Sequence, residues 1–197
     1  MIIDLVRKNR SCRGYNHARK VSEEELRSFA DCARLTASSI NIQPLKYYLA
    51  WEEEEVARIQ SLTSWAGALP QMKLPHPGME PTGFIVICQD TGIFSSVQRF
   101  QKDVGIAAQT ILLAAVEAGL GGCMIGNFSQ EKVHTELGLP ENIVPLLIIA
   151  IGEPAEEIVL TDVGEDGNTN YYRDENDVHY VPKRSLEDVI LTAETYH

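Results

Sequence analysis

The chain has 197 residues, a formal net charge of -11 at pH 7 and 44% hydrophobic residues. This length suits one domain with a sizeable core, and we expect residues 1–197 to form a single domain. The acidic balance argues against nucleic-acid binding, which needs clustered lysine and arginine. No apolar run reaches the roughly 18 residues that cross a bilayer, and the first residues lack a secretory pattern. We therefore expect a soluble, cytoplasmic protein that binds neither nucleic acid nor membrane.

The segment after the first predicted helix is basic, although the chain as a whole is acidic. We predict a short helix over residues 2–9, and Arg10-Ser11-Cys12-Arg13 follows it directly. Two guanidinium groups and a hydroxyl suit a phosphate monoester, because arginine offers forked donors and serine adds another. A solvated charged face would explain the same pattern. Cys12, lying between two arginines, is also a candidate for a reactive thiol.

A polar loop follows the second predicted helix. Ser22-Glu23-Glu24-Glu25 is a capping box, which predicts a helix start, and apolar residues then recur at helical spacing. The loop at residues 37–44 supplies hydroxyls and amides that donate and accept hydrogen bonds, which suits a heterocycle with alternating C=O and N–H groups. A helix C-cap and turn is the alternative interpretation. The candidate binding residues of this loop are Ser38, Ser39, Asn41 and Gln43.

The rest of the chain predicts strands that alternate with helices, and hence an α+β fold. The predicted strands are Tyr47–Trp51, Phe84–Cys88, Cys123–Gly126 and Leu146–Gly152. The predicted helices are 53–62, 97–118 and 129–137, with a last one starting at Ser185. The helix at 97–118 is rich in small residues, which suits a central or interface helix. Residues 65–81 read as an irregular lid or dimer contact, and residues 161–177 as a loop.

Two further clusters come late in the chain. Glycines surround the strand that contains Met124, Ile125 and Gly126, and they would let the backbone approach a flat ligand. A glycine cap before a strand explains most of that pattern equally well. Lys183 and Arg184 add two cations before the last helix, and taken alone they read as an ordinary surface pair.

Several common sites are excluded by their missing motifs. There is no Gly-x-Gly-x-x-Gly after a strand, no P-loop and no Gly-x-Ser-x-Gly elbow. The cysteines and histidines lack the spacing of a zinc site, so we expect no metal. Three cysteines are predicted in the core without disulfides, and the histidines at the surface. These residues are Cys32, Cys88 and Cys123, and His17, His76, His134, His179 and His197.

Taken together and in order, these clusters resemble the FMN-dependent nitroreductase family. Arg10-Ser-x-Arg13 looks like the opening signature of that family, and residues 37–44 look like its Ser-x-x-Asn-x-Gln-Pro segment. The most specific match runs from Asp103-x-Gly105-x-Ala107-x-Gln109 to the glycines at 119 and 121. Lys183-Arg184 falls where the family places late phosphate-binding cations. The resemblance spans nearly the whole chain.

The resemblance implies an obligate homodimer with a central, mostly antiparallel sheet flanked by helices, and FMN bound at the dimer interface. Arg10, Ser11, Arg13, Lys183 and Arg184 would hold the phosphate. Ser38, Ser39, Asn41 and Gln43 would reach the flavin of the other subunit, and Met124, Ile125 and Gly126 would line the ring.

In such enzymes flavin N5 carries the chemistry, so no catalytic side chain is expected. NADH or NADPH reduces the flavin, and a small acceptor such as a nitroaromatic or quinone then takes the electrons in a ping-pong cycle. A flavin-binding protein for storage, delivery or sensing, without turnover, is the alternative. A structural protein whose basic segment is only solvated is a third.

Overall fold

The computed structural model describes residues 1–192, which fall into two compact units. The first unit comprises residues 1–65 and 73–155, and the second comprises residues 66–72 and the described residues from 156 onward. The single-domain organisation expected from the sequence stays a prediction. The helices of the first unit are α1 (Ile2–Lys8), α2 (Glu23–Arg34), α3 (Glu53–Ser61), α4 (Gln101–Glu117) and α5 (Gln130–Glu136). Its strands are β1 (Leu45–Ala50), β2 (Gly83–Asp90), β3 (Gly121–Ile125) and β4 (Ile143–Gly152).

The first unit is built on one four-stranded sheet in the order β1-β2-β4-β3. Every neighbouring pair in that sheet is antiparallel, with Tyr47 opposite Ile87 and Cys123 opposite Ala150. The α+β fold with an antiparallel sheet flanked by helices is therefore confirmed. All four strands predicted for this unit are present, each shifted or lengthened by up to three residues.

The core lies between the sheet and two packed helices. Leu26 and Phe29 of α2 join Ile111 of α4 and Ile85 and Ile87 of β2 in one buried cluster. Every residue of β2 from 83 to 89 is buried. Adjacent residues of a strand point to opposite faces of the sheet, so both faces of β2 are covered. This burial explains why β2 reads as a continuous apolar run.

Helix starts follow the sequence signals closely. Ser22 caps α2: its Oγ accepts from the Glu25 N–H at 3.2 Å, and the Glu25 carboxylate accepts from the Ser22 N–H at 2.9 Å. Ser129 likewise caps α5. The long helix is shorter than predicted, because a 3-10 turn at Gln98–Phe100 precedes α4.

Pro145 lies inside β4 rather than ending it. The register of β4 against β2 shifts beside this residue, where Cys88 faces Pro145 but Ile87 faces Leu147. A proline has no N–H to give to the ladder, and strands accommodate it at such irregularities. Strand β4 therefore begins at Ile143, three residues before the predicted Leu146.

The second unit contains a small sheet that the sequence analysis missed. Its elements are β5 (Ile158–Asp162), β6 (Tyr172–Arg173), β7 (His179–Lys183) and α6 (Leu186–Val189). Strand β7 pairs in parallel with β5 and antiparallel with β6. The prediction of a loop over 161–177 is therefore wrong at residues 161–162, which belong to β5, and at residues 172–173, which form β6. These strands are short and rich in polar residues, so their sequence carries little periodicity.

The second unit contains a buried ion pair and a buried histidine. The guanidinium of Arg173 pairs with the carboxylate of Glu156, and both side chains are almost fully buried. His179 is 1% exposed and lies edge-on to Tyr171, with ring centroids 5.4 Å apart. The predicted surface position is therefore wrong for His179. His197 lies outside the described residues.

Three of the four cysteines are buried. Cys12 and Cys88 are core residues, as is Cys123, and burial raises the pKa of the Cys88 thiol to about 12. Cys32 is exposed on α2, so its predicted core position is wrong. Within residues 1–192, no helix is long and apolar enough to span a membrane.

Candidate functional site

The Arg10–Arg13 segment is fixed by the main chain of β3. Ser11 forms an isolated parallel bridge with Gly122, and the Cys12 N–H donates to the Gly122 carbonyl at 3.0 Å. The Cys12 side chain is 2% exposed, and its thiol donates to the Gly14 carbonyl at 3.1 Å. The structure therefore brings the predicted phosphate segment to the glycine-rich strand. It also makes Cys12 a packed residue, not an open reactive thiol.

Two glycines of β3 make this approach possible. A Cβ on Gly122 would collide with the backbone oxygen of Ala150 and lie 2.6 Å from Leu112 Cδ2. A Cβ on Gly121 would lie 2.7 Å from Pro154 Cγ. No side chain fits at either position without displacing its neighbours. Packing thus requires the glycines at positions 121 and 122.

Arg10 is a partly buried cation with incomplete hydrogen bonding. One Nη donates to the Val6 carbonyl at 2.8 Å, whereas Nε is buried without a partner. Burial lowers the pKa of Arg10 from its usual value. In residues 1–192 no carboxylate forms an ion pair with it. A buried N–H without an acceptor is costly, so this side chain is suited to receive an anion.

Arg13 and Ser11 complete the segment. Nη1 of Arg13 donates to the Ser11 carbonyl at 3.2 Å, and the Ser11 side chain is exposed. Arg10, Ser11 and Arg13 therefore lie within one short stretch after α1, as predicted.

The Ser38–Gln43 loop is organised by a buried carboxylate at the start of α4. Ser38 Oγ donates to Asp103 Oδ2 at 2.7 Å, and the Ser39 N–H donates to the same oxygen at 2.9 Å. The Gln43 N–H then donates to Ser38 Oγ at 3.0 Å. Asp103 itself is 5% exposed. Sequence reasoning noted Asp103 only as part of a family motif, and its place in the first turn of α4 gave no sign of this contact.

The tip of this loop has an unusual backbone. Ile40, Asn41 and Gln43 have positive φ angles of 47°, 57° and 55°. Such angles are disfavoured for residues with a Cβ, most of all for β-branched isoleucine. Strained backbone of this kind clusters at functional sites.

The loop presents two amides to solvent. Asn41 and Gln43 are exposed, and Gln43 Nε2 donates to Asn41 Oδ1 at 3.1 Å. Ser38 and Ser39 are half-buried beneath them. The hydrogen-bond donors and acceptors expected to recognise a heterocycle therefore lie together in this loop.

A cavity of about 650 Å³ lies behind the loop, between α2 and β1. Ser38, Gln43, Tyr47 and Asp103 line one part of it. Burial, together with the charge of Asp103, raises the pKa of the Tyr47 hydroxyl to about 12. Tyr47 is therefore neutral at physiological pH.

The predicted ring-lining residues differ in exposure. Met124 is 37% exposed and Ile125 only 4%, as the alternation of a strand requires. Gly126 is exposed, and a Cβ there would meet nothing within 4 Å. No described residue of this chain therefore fills the space beside Gly126.

The late cations lie in the second unit. Lys183 ends β7 and Arg184 follows it, and both are exposed. A joint site with Arg10 and Arg13 stays a prediction.

Comparisons with known proteins agree with these features. The model of the Nitroreductase family matches residues 6–90 and 95–153. A protein of Archaeoglobus fulgidus, provisionally named NADH dehydrogenase/NAD(P)H nitroreductase, is 26% identical over 160 residues, covering 79% of this chain and 86% of its own. A structure from Clostridium difficile, described as an FMN-dependent nitroreductase, is 26% identical with a TM-score of 0.64, covering 79% of this chain and 88% of that one.

A third comparison bears on the fold alone. A nitroreductase family protein from Streptococcus pneumoniae has a TM-score of 0.70 at 17% identity, and covers 98% of this chain and 100% of that one. The segments that carry the site in the first unit, residues 10–13, 38–43 and 121–126, all lie inside the stretches that the family model matches. This chain belongs to the nitroreductase family.

Proposed function

We propose that this protein is an FMN-dependent oxidoreductase that takes electrons from NADH or NADPH and passes them to a small acceptor, such as a nitroaromatic or a quinone. The observation that carries the proposal is the state of Arg10. Its guanidinium is partly buried, its Nε lacks an acceptor, and no described carboxylate neutralises it. A bound phosphate would supply both the acceptor and the charge.

The residues present fit FMN. Arg10, Ser11 and Arg13, joined by Lys183 and Arg184, would bind the phosphate oxygens. Ser38, Ser39, Asn41 and Gln43 would reach the flavin of a second subunit. Met124, Ile125 and Gly126 would line its ring, beside the open space at Gly126. When bound, FMN supplies the electron-transfer chemistry at N5, and the protein contributes position and charge.

A homodimer is part of this proposal, and α4 supports it. Gly105 lies inside the helix, where glycine costs about 1 kcal/mol relative to alanine. A Cβ at Gly105 would meet nothing within 4 Å, so its own unit does not require glycine there. The exposed neighbours Ile106 and Gln109 continue the same surface. Close packing against a second copy would explain both features. We also propose that the protein works in the cytoplasm.

The function is tested on the purified protein. It should be yellow, or take up added FMN, and should lose its flavin absorption anaerobically with NADH or NADPH. Reoxidation by nitroaromatics, quinones and halogenated phenols then identifies the acceptor class. Colourless protein that takes up no FMN would contradict the proposal, and bound FMN that neither nicotinamide reduces would favour a storage, delivery or sensing role. Light scattering at micromolar concentration tests the dimer, and a monomer contradicts the two-subunit site.

A further inference from the structure

The buried carboxylate of Asp103 has no ionic partner. It is 5% exposed, and no lysine or arginine in residues 1–192 forms an ion pair with it. Burying a carboxylate is costly unless hydrogen bonds compensate it. Within residues 1–192, the Ser38 hydroxyl and the Ser39 N–H donate to Asp103, and both reach Oδ2. The hydrogen bonds that compensate this charge therefore come from the Ser38–Gln43 loop.

The contact also fixes the loop internally. Ser38 Oγ donates to Asp103 and accepts from the Gln43 N–H, so one hydroxyl joins the carboxylate to the far end of the loop. Between these two points lie Ile40 and Asn41 in the left-handed region. Local strain of this kind persists only where surrounding contacts determine the conformation. Among the contacts of this loop, the hydrogen bonds to Asp103 are the charge-assisted ones, which are the strong class.

We infer that Asp103 is a positioning residue that holds the Ser38–Gln43 loop in the conformation that binds flavin. The inference rests on the proposed function, because that function assigns the loop to the flavin. Asp103 acts through Ser38 and Ser39 and need not touch the cofactor. Its charge sets the geometry at which the Asn41 and Gln43 amides are presented.

A simpler role for Asp103 is to stabilise α4. It is an acidic residue in the first helical turn, where a negative charge is favoured by the helix dipole. The two roles differ at the Ser39 amide, whose acceptor is Asp103. Ser38→Ala removes one of the two hydrogen bonds to Asp103 and leaves α4 unchanged, whereas Asp103→Asn removes the charge and keeps the side-chain size. A role confined to α4 predicts no change in exchange at the Ser39 amide in either variant, while the Gln43 amide loses its acceptor in Ser38→Ala under both roles.

The test compares the unmodified chain with Asp103→Asn and Ser38→Ala by amide hydrogen exchange and by FMN titration. Charge-assisted hydrogen bonds of this kind correspond to roughly 10- to 100-fold in an equilibrium constant. We expect exchange at the Ser39 and Gln43 amides to accelerate about tenfold or more in both variants. Exchange in β2 should stay unchanged, and the dissociation constant for FMN should rise about tenfold. Asp31→Asn is the matched control, because Asp31 lines the same cavity but is exposed and pairs with Arg34.

Loop exchange within twofold of the unmodified chain in either variant would overturn the inference. Equal acceleration in the loop and in β2 would also overturn it, because that pattern indicates general destabilisation. A loosened loop with unchanged FMN affinity would refute the functional part. If the unmodified chain takes up no FMN, the proposed function fails, while exchange in the free protein still decides whether Asp103 orders the loop.

Discussion

The Arg10–Arg13 segment and the Ser38–Gln43 loop belong to the same candidate site, yet they are held in different ways. The first is attached by main-chain hydrogen bonds to β3 and by the buried side chain of Cys12. The second depends on side-chain contacts to one carboxylate, and its backbone is strained at its tip.

This difference separates rigid from adjustable parts of the site. Strand β3 lies at the edge of the sheet but is mostly buried, so the main-chain contact that it makes with the Arg10–Arg13 segment should be about as stable as the sheet. The loop can loosen while the sheet stays intact. We therefore expect substitutions that block the main-chain contact of the first region to destabilise the sheet, and substitutions in the second region to change the loop while the sheet stays folded.

The largest effect is expected for Gly122→Ala. The new Cβ would collide with the Ala150 carbonyl and with Leu112, and backbone cannot yield cheaply. Overpacking of this kind costs about 3 kcal/mol, which denaturant unfolding would measure. Gly126→Ala is the control, since its Cβ meets nothing within 4 Å and should change stability by less than about 0.5 kcal/mol. Equal stability of the two variants would show that the segment does not require the close approach.

Arg13→Ala should weaken FMN without unfolding the protein. Loss of one charge-assisted hydrogen bond to phosphate corresponds to about 1.5–3 kcal/mol, or 10- to 100-fold in the dissociation constant. Fluorescence titration of FMN measures it. Arg27→Ala removes an exposed arginine that pairs with Glu23 on α2 and should leave the affinity unchanged. If Arg13→Ala binds FMN like the unmodified chain, the segment is only a solvated basic face.

A smaller effect, of the opposite sign, is expected for Ile40→Asn. The left-handed backbone at Ile40 costs a β-branched residue about 1–2 kcal/mol, and asparagine tolerates that region better. The variant should therefore be more stable by about 1 kcal/mol in thermal or denaturant unfolding. Leu35→Asn is matched to it, because Leu35 is equally exposed but has an ordinary right-handed backbone. A gain in both variants would mean that backbone strain is not its source.

The smallest effect is a pH dependence at the start of α2. The hydrogen bond from Arg19 holds the pKa of Glu25 below its usual value. Its stabilisation is therefore complete above the unfolded-state pKa, about 4.3, and is lost as pH falls through the lower folded-state pKa. Glu25→Gln should cost at most about 1 kcal/mol at pH 7, because the pair is partly exposed.

That cost should shrink when unfolding is measured near pH 3. Glu24→Gln makes the same charge change in the same helical turn, and in the described structure no hydrogen bond involves the Glu24 side chain. It should show little cost at either pH. A cost for Glu25→Gln that stays constant across this range would contradict the assigned interaction.

Much of the first unit is readable from the sequence because its signals are local. The capping box at Ser22 and the apolar run of β2 depend on neighbouring residues alone. The second unit was missed because the pairing of β5 with β7 joins short strands that are about twenty residues apart. His179 was predicted at the surface for the same reason, since its burial comes from tertiary contacts that a local sequence pattern does not predict.

The candidate site also has a part that the sequence revealed and a part that it did not. The residues that would touch the cofactor were recognisable from their chemistry and order along the chain. The groups that hold them in place were not: Asp103 lies 65 residues from Ser38, and the packing constraint on Gly122 involves Ala150 on another strand. Support of this kind depends on which segments meet in space, so a single sequence cannot reveal it.

The positions of the four cysteines offer a way to label the protein near the Ser38–Gln43 loop. Cys32 is exposed near the end of α2, shortly before the Ser38 loop, while the other three thiols are buried. A maleimide dye or spin label should therefore attach at one position without mutagenesis. Its mobility or emission would report on the neighbouring loop as ligands bind, in a protein whose sequence is otherwise unaltered.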